Sequence, residues 1–198
     1  VIDLAINSVG GYYTTSRGGQ ITVGVWSAPT ATAEDDAQVV FVATDADIVR
    51  GSLVVEPVGS PPSRVEVGYA YSHTVLDSGQ FNGAATEARR SFLGHAYRYA
   101  PAPSATVEAE HLLAEPLIRD TMHDTETGGQ ALADLLAAQF AVTGRERSRV
   151  RLQLRPFAIE PADQIWIQSD LDAVDAAYRL TTVGDDAQNP IVELASWR

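Results

Sequence analysis

The sequence lacks two reactive residue types: it contains no cysteine and no lysine, so all 14 basic residues are arginines. Without cysteine, a disulfide, a thiol nucleophile and a thiolate zinc site are excluded. Without lysine, Schiff-base chemistry on a side-chain amine and the lysine of a phosphate-binding loop are excluded. Long apolar runs and a signal peptide are also missing, so the chain is not expected to insert into a membrane.

Basic charge is scarce as well: the formal net charge is −12 and the pI is near 4.6. Since nucleic-acid binding through phosphates needs a basic surface, we expect no specific nucleic-acid binding. The 198 residues, 45% of them hydrophobic, suffice for one domain or two small ones. The chain starts at Val1 rather than at a methionine, and we expect it to be a fragment of a longer polypeptide.

Catalytic motifs are absent, including Gly-x-Ser-x-Gly, His-Glu-x-x-His and Gly-x-Gly-x-x-Gly. The histidines are too scattered to predict a metal site: His73, His95, His111 and His123. The acidic stretch 170–175 is similar to a calcium loop, but it lacks the required central glycine and terminal glutamate. We therefore predict a non-enzymatic protein with no catalytic residue, metal or cofactor.

Most of the regular pattern is that of β-strands. Val150, Leu152 and Leu154 alternate with polar residues, the period of a strand with one buried face. With 159–168, 178–183 and 191–197, this stretch predicts an antiparallel meander of about four strands. Further strands are expected in the N-terminal half: a hairpin around residues 16–19, then 39–42, 52–55, a long strand over 64–75, and 97–99 before Pro101 and Pro103.

Helical patterns are fewer. We predict helices near residues 2–9, over 84–93 and over 127–142, the last with a capping box formed by Thr127 and Gln130. Residues 106–113 fit a strand or a helix equally well. The fold class is therefore mainly β with minor α (α+β), an antiparallel β-barrel or sandwich-like arrangement with one or two helices inserted. We divide the chain into residues 1–100, β-rich with a helical segment, and residues 101–198, a helix plus a C-terminal antiparallel β-domain.

A row of arginines stands out in this acidic chain: Arg145, Arg147, Arg149, Arg151 and Arg155. From Arg149 onward, alternate residues would lie on one strand face. The row is either a solvated face or an intersubunit surface, since arginine is favoured in interfaces and pairs with carboxylates. Arg149, Arg151 and Arg155 are the predicted interface residues.

Three stretches of the sequence together resemble the tail-tip or baseplate hub proteins of tailed phages. They are residues 9–24, with two strands around a glycine turn; residues 61–75; and residues 159–167 with 178–180 and 192–197, in which a turn precedes a strand. Ala162 stands where those proteins usually have a glycine before the aspartate of this turn.

The resemblance implies β-rich hub domains that form a ring, often a homotrimer, around the tail channel and connect the tube to the tip or fibres. The implied partners are other copies of the chain and tail tube, tip or fibre proteins. The implied location is the virion, after production in the bacterial cytoplasm. One alternative is a carbohydrate-binding β-domain for host-surface attachment, with Tyr12, Tyr13, Tyr69, Tyr71 and Trp166 as candidates; another is a glycan hydrolase using two carboxylates.

Overall fold

The computed structural model describes residues 5–6, 8–15, 19–153, 159–184 and 192–198. The structure is mainly β, with 37% strand and 19% helix, which confirms the predicted class. The strands are β1 Gly11–Thr15, β2 Ile21–Val25, β3 Val39–Thr44, β4 Val54–Pro57, β5 Arg64–Tyr69, β6 Arg98–Pro103, β7 Leu117–Asp120, β8 Glu146–Leu152, β9 Gln164–Ser169, β10 Val174–Gly184 and β11 Val192–Trp197. Three α-helices are described over their whole length, α1 Glu87–Leu93, α2 Ala105–Glu110 and α3 Glu126–Phe140, and Ser78–Gln80 form a short 3-10 helix.

Contacts along the chain define two compact units, each built from separate segments. Unit 1 comprises Val1–Tyr13, Val23–Val25 and Ser60–Thr143; unit 2 comprises Thr14–Thr22, Trp26–Gly59 and Gly144–Arg198. The division of the chain at residue 100 stays a prediction. The predicted hairpin is confirmed, since β1 and β2 pair as a two-stranded sheet. The helix expected near residues 2–9 lies largely outside the described residues.

Unit 1 contains a three-stranded sheet in the order β6-β5-β7, and α3 packs on β5 and β6. Its core joins Val65 and Val67 of β5 to Leu132 and Leu136 of α3. These strand residues are two apart and the helix residues four apart, so each pair lies on one face of its element. The helix therefore buries its apolar stripe on the sheet.

The start of α3 differs from the prediction. Thr125 is the N-cap, with extended backbone and a side-chain oxygen that accepts the Gly128 N–H at 3.3 Å. The predicted capping box at Thr127 is wrong because Thr127 already lies inside the first turn. The Gln130 amide instead donates to the carbonyl oxygen of Pro101 and to Asp134, at 3.1 and 2.9 Å.

Two predicted strands in unit 1 have different limits. The long strand over 64–75 is wrong: β5 ends at Tyr69, because Ala70 has φ of 49° and its N–H donates to the carbonyl oxygen of His123. The stop expected before Pro101 is also wrong, since β6 continues past Pro101 and ends at Pro103. Strand β6 lies at the sheet edge, where proline is tolerated because the outer side needs no backbone donor. Residues 105–110 form a helix, which resolves the ambiguous segment.

Unit 2 contains a six-stranded sheet in the order β3-β9-β10-β11-β8-β4. Strands β9, β10 and β11 form the expected antiparallel meander, but β8 pairs with β11, Val150 opposite Leu194, rather than with β9. Alternating hydrophobicity shows which face of a strand is buried and not which strand lies beside it, so the predicted four-strand order is wrong. Strand β3 is parallel to β9, which makes the sheet mixed rather than purely antiparallel.

One face of this sheet carries the core of unit 2. Leu152, Ile165, Ile167 and Leu180 are fully buried there, and Tyr178 is 1% exposed. The Tyr178 hydroxyl donates to Glu146 at 3.3 Å, so the phenol keeps a partner at its polar end. The strands of unit 2 are thus held by an apolar layer, to which β8 contributes the buried face that its alternation predicts.

Candidate functional sites

Strand β8 carries the predicted arginine surface, which we call the arginine face (Arg147, Arg149 and Arg151). All three residues are exposed, while Ser148, Val150 and Leu152 between them are at most 1% exposed. The strand alternation therefore separates a buried face from a charged one, as expected. Arg155 lies outside the described residues.

The neighbours of the arginine face on β4 are mixed in character. In register, Glu56 lies opposite Arg147 and Val54 lies opposite Arg149. Directly opposed residues of an antiparallel pair project on the same side, so an acidic and an apolar residue border the arginines. Val54 is 46% exposed, and β4 is an edge of the sheet.

Arg145 precedes β8 and differs from the three arginines within it. Its guanidinium carbon lies 4.9 Å from the ring centroid of Trp197, which is a cation–π distance. Burial, and then the charge of Arg147, lower the pKa of Arg145. Arg145 therefore covers the Trp197 ring instead of extending the arginine face.

A second site lies within unit 1, between the end of β5, the end of α1 and the start of β6. It is a pocket of about 610 Å³, and a further pocket of about 490 Å³ shares Phe92, Tyr97 and Arg98 with it. We call the two together the aromatic groove, after the side chains Tyr71, Phe92, Tyr97 and Tyr99. Its volume falls in the range typical of small-molecule sites.

The backbone around Ala70 positions one wall of the groove. The left-handed conformation of Ala70 turns the chain out of β5, and the N–H of Ser72 donates to the carbonyl oxygen of Ala96 at 2.8 Å. This brings the Tyr71 ring to 4.9 Å from Tyr97, at an interplanar angle of 45°. His73 meets Tyr71 edge-on, also at 4.9 Å between centroids.

Arg98 holds two walls together. Its terminal nitrogens donate to the carbonyl oxygens of Ala70 and Phe92, and its guanidinium carbon lies 3.2 Å from the centroid of the Phe92 ring. The terminal nitrogens are thus engaged by the protein itself. The aromatic rings remain accessible, with Tyr71 and Phe92 each 51% exposed.

Two tyrosines of the groove, Tyr97 and Tyr99, have a raised pKa. Burial first, and then the charge of Asp120, raise the pKa of both Tyr97 and Tyr99. The Tyr99 hydroxyl donates to Asp120 at 3.3 Å. A Cβ at Gly68 would lie 2.7 Å from the Asp120 carboxylate and 3.1 Å from the Tyr97 ring, so glycine permits both to lie on the strand.

Of the five aromatic residues predicted as carbohydrate candidates, the groove contains only Tyr71. Trp166 is 8% exposed and its indole N–H donates to Asp175 at 2.6 Å. The Tyr69 ring packs against Gly129, the Tyr12 ring packs against Gly24, and Tyr13 is exposed on β1. The groove residues that the prediction missed are Phe92, Tyr97 and Tyr99. Their only sequence signal is the alternation of Tyr97 and Tyr99 at the start of β6.

Three of the four histidines line the aromatic groove: His73 and His123 line its first pocket and His95 lines its second. Among the described residues, no group of three or more histidine, aspartate or glutamate side chains could hold a metal ion. His73 is exposed, and its ring contacts Tyr71. No helix in the described part of the chain is long and apolar enough to cross a membrane.

Sequence comparison identifies no relative: no protein-family profile matches the chain, and no curated protein matches it. Solved structures do match. A tail protein from Neisseria meningitidis MC58 aligns with a TM-score of 0.52 and 15% identity over 98% of this chain and 52% of its own. The 43 kDa tail protein of prophage MuSo2 from Shewanella oneidensis aligns at 0.50 and 13%, over 94% and 50%.

A third similar structure is a chain from the virion of a native gene transfer agent particle. It aligns with a TM-score of 0.50 and 17% identity over 82% of this chain and 32% of its own. The chain thus spans about half the length of the two tail proteins and about a third of the virion chain. At these identities the similarity shows a shared fold, and the resemblance to tail proteins is confirmed at that level.

Proposed function

We propose that the chain is a structural component of a phage tail tip or baseplate hub, or of a related particle. It forms a ring around the tail channel and connects the tail tube to the tip or fibres. The observation that carries this proposal is the fold shared with a tail protein over 98% of the chain. The shared fold with a chain from a gene transfer agent virion supports it.

In this role the protein is not an enzyme. It assembles in the bacterial cytoplasm and resides in the virion, at the tail tip. A net charge of −12 suits the wall of a channel through which DNA passes, because like charge disfavours adhesion of the phosphate backbone.

The ring is a homotrimer held partly through the arginine face of unit 2. Arg149 and Arg151 are exposed on β8, beside the exposed Val54 on the edge strand β4. Arginine with an apolar neighbour is typical of interfaces, and the acidic surface of a second copy offers carboxylates for bidentate pairing. Arg155 continues the same row in the sequence and belongs to the proposed interface. A closed ring needs this surface to meet a different, complementary one on the next subunit.

The test is the mass of the intact gene product by multi-angle light scattering, for the wild type and for Arg149→Glu/Arg151→Glu. We expect a closed oligomer for the wild type. Charge reversal should shift the mass toward the protomer, since like-charge contacts across an interface cost several kcal/mol.

The matched control is Arg89→Glu/Arg119→Glu, which changes the net charge equally at exposed positions of unit 1. This variant should keep the wild-type mass. A wild type that stays monomeric at high concentration would contradict the ring, and equal dissociation of both variants would contradict the interface.

A further inference from the structure

The aromatic groove belongs to unit 1 and takes no part in the interface proposed at the arginine face of unit 2. Tyr71 and Phe92 are each 51% exposed and Tyr99 is 45% exposed, around pockets that total a ligand-sized volume. Exposed rings gathered around a concavity differ from scattered surface aromatics, because only the former present several apolar faces to one ligand. We propose that the aromatic groove binds a neutral oligosaccharide.

The rings supply the stacking surfaces for this ligand. Tyr71 and Tyr97 lie 4.9 Å apart and inclined by 45°, so together they form a bent apolar wall. One face of the Phe92 ring is covered by the Arg98 guanidinium, whose carbon lies 3.2 Å from the ring centroid. The apolar C–H faces of a pyranose ring are flat and pack on such walls, which remain rigid because each ring is held by a neighbour.

The charges of the groove favour a neutral ligand over an anionic one. Arg98 is the cation of the two pockets, and its terminal nitrogens donate to the carbonyl oxygens of Ala70 and Phe92. Asp124 lines the pocket as well, and the Asp120 carboxylate lies beside Tyr97 and Tyr99. A phosphate, sulfate or carboxylate would meet these negative charges without a free cation to compensate them.

The polar groups at the rim fit sugar hydroxyls. His73 and His123 line one pocket and His95 lines the other, and imidazole nitrogens can donate or accept hydrogen bonds. Sugar hydroxyls both donate and accept, so they use both kinds of nitrogen. A proline-rich peptide, the other ligand that aromatic grooves recognise, presents mainly carbonyl acceptors and would leave the acceptor nitrogens unused. The rim therefore favours the saccharide.

The experiment is saturation-transfer NMR on the intact gene product with three probes: maltotriose, cellotriose and N,N′,N″-triacetylchitotriose, each at millimolar concentration. At least one should bind. Tyr71→Ala should weaken that binding about tenfold, since a truncated aromatic anchor commonly costs more than 1 kcal/mol. Tyr71→Phe keeps the ring and should retain binding.

The matched control is Tyr13→Ala, which removes an equally exposed tyrosine on β1, outside the groove. It should bind as the wild type does. Far-UV circular dichroism and the thermal midpoint verify that the Tyr71 variants are folded; should Tyr71→Ala unfold, Phe92→Ala replaces it with the same expected loss.

Three results would overturn the proposal: no transfer to any of the three sugars, equal binding by Tyr71→Ala and Tyr13→Ala, or preferential binding of an alternating proline–alanine peptide. None of them affects the ring, whose test is the mass of the assembly. Conversely, if the protein were monomeric but bound a sugar through Tyr71, the sugar-binding proposal would stand and the proposed assembly would be contradicted.

Discussion

Two buried serines face each other across the sheet of unit 2 and allow a sharp test of its packing. Ser148 of β8 and Ser196 of β11 are opposite in register, are 0% and 1% exposed, and share a hydrogen bond between their hydroxyls. Val150 and Leu194 are their apolar neighbours on the same strand face. Each hydroxyl therefore depends on the other for its partner in an apolar layer.

Replacing one serine should cost more than replacing both. Ser148→Ala removes the shared hydrogen bond and leaves the Ser196 hydroxyl buried without it, so we expect a loss of about 1–3 kcal/mol in the free energy of unfolding. Ser196→Ala should cost about the same. The double variant removes both hydroxyls and should lie within about 1 kcal/mol of the wild type, since an apolar pair of similar shape is nearly neutral.

The assay is urea unfolding followed by tryptophan fluorescence. The three tryptophans, Trp26, Trp166 and Trp197, all belong to unit 2, so the signal reports the unit that contains the serines. The double-mutant cycle should give a coupling energy of at least about 1 kcal/mol. Additive single effects would refute the reasoning, because they would mean that the hydroxyls do not depend on each other.

Two further predictions concern backbone strain and pH. Gly10 has φ of 62°, and a Cβ there would lie 2.8 Å from Leu135, so Gly10→Ala should lower the thermal stability by circular dichroism. The expected loss in the free energy of unfolding is about 2–4 kcal/mol. The control is Gly51→Ala, where φ is 72° and a Cβ would meet no atom within 4 Å, so only the backbone strain of about 1–2 kcal/mol is expected. Equal losses in the two variants would argue against a clash between residue 10 and Leu135. Burial raises the pKa of Tyr178 from 10.0 to about 12, so its neutral form stabilises the fold fully below pH 10 and progressively less toward pH 12. Over that pH range the wild type should lose about 1–3 kcal/mol more than Tyr178→Phe in urea titrations, and parallel curves would contradict the shift.

Local patterns in the sequence predict the elements well where one face of a strand is buried. The alternation of Val150 and Leu152 with arginines indicates both β8 and its exposed face. The C-terminal limit of β5 could not be predicted in this way. Ala70 adopts a left-handed φ, and such a φ is expected from the sequence at glycine and not at alanine. Likewise, Pro101 predicts the end of a strand unless the strand is known to lie at a sheet edge, as β6 does.

The aromatic groove was beyond prediction for a related reason. Tyr71 follows β5 and Tyr97 precedes β6, and they meet because these two strands are antiparallel neighbours. Phe92 joins them from the end of α1 through Arg98. The residue pattern within one segment does not indicate which side chains of distant segments contact each other. The arginine row, by contrast, lies on a single strand, where spacing alone indicates a shared face.

The separation of the two faces of β8 makes the assembly test interpretable. Ser148 and its buried neighbours hold the strand in the sheet, whereas Arg149 and Arg151 project to the other side. Charge reversal at the arginines should therefore change the oligomer while leaving the unfolding free energy of the isolated protomer within about 1 kcal/mol of the wild-type protomer, the range of exposed ion pairs. The serine substitutions should do the opposite and lower stability while leaving the arginine face intact. If both kinds of variant changed both the oligomer and the stability of the protomer, the strand would not separate folding from association, and the interface proposed at Arg149 and Arg151 would lose its basis.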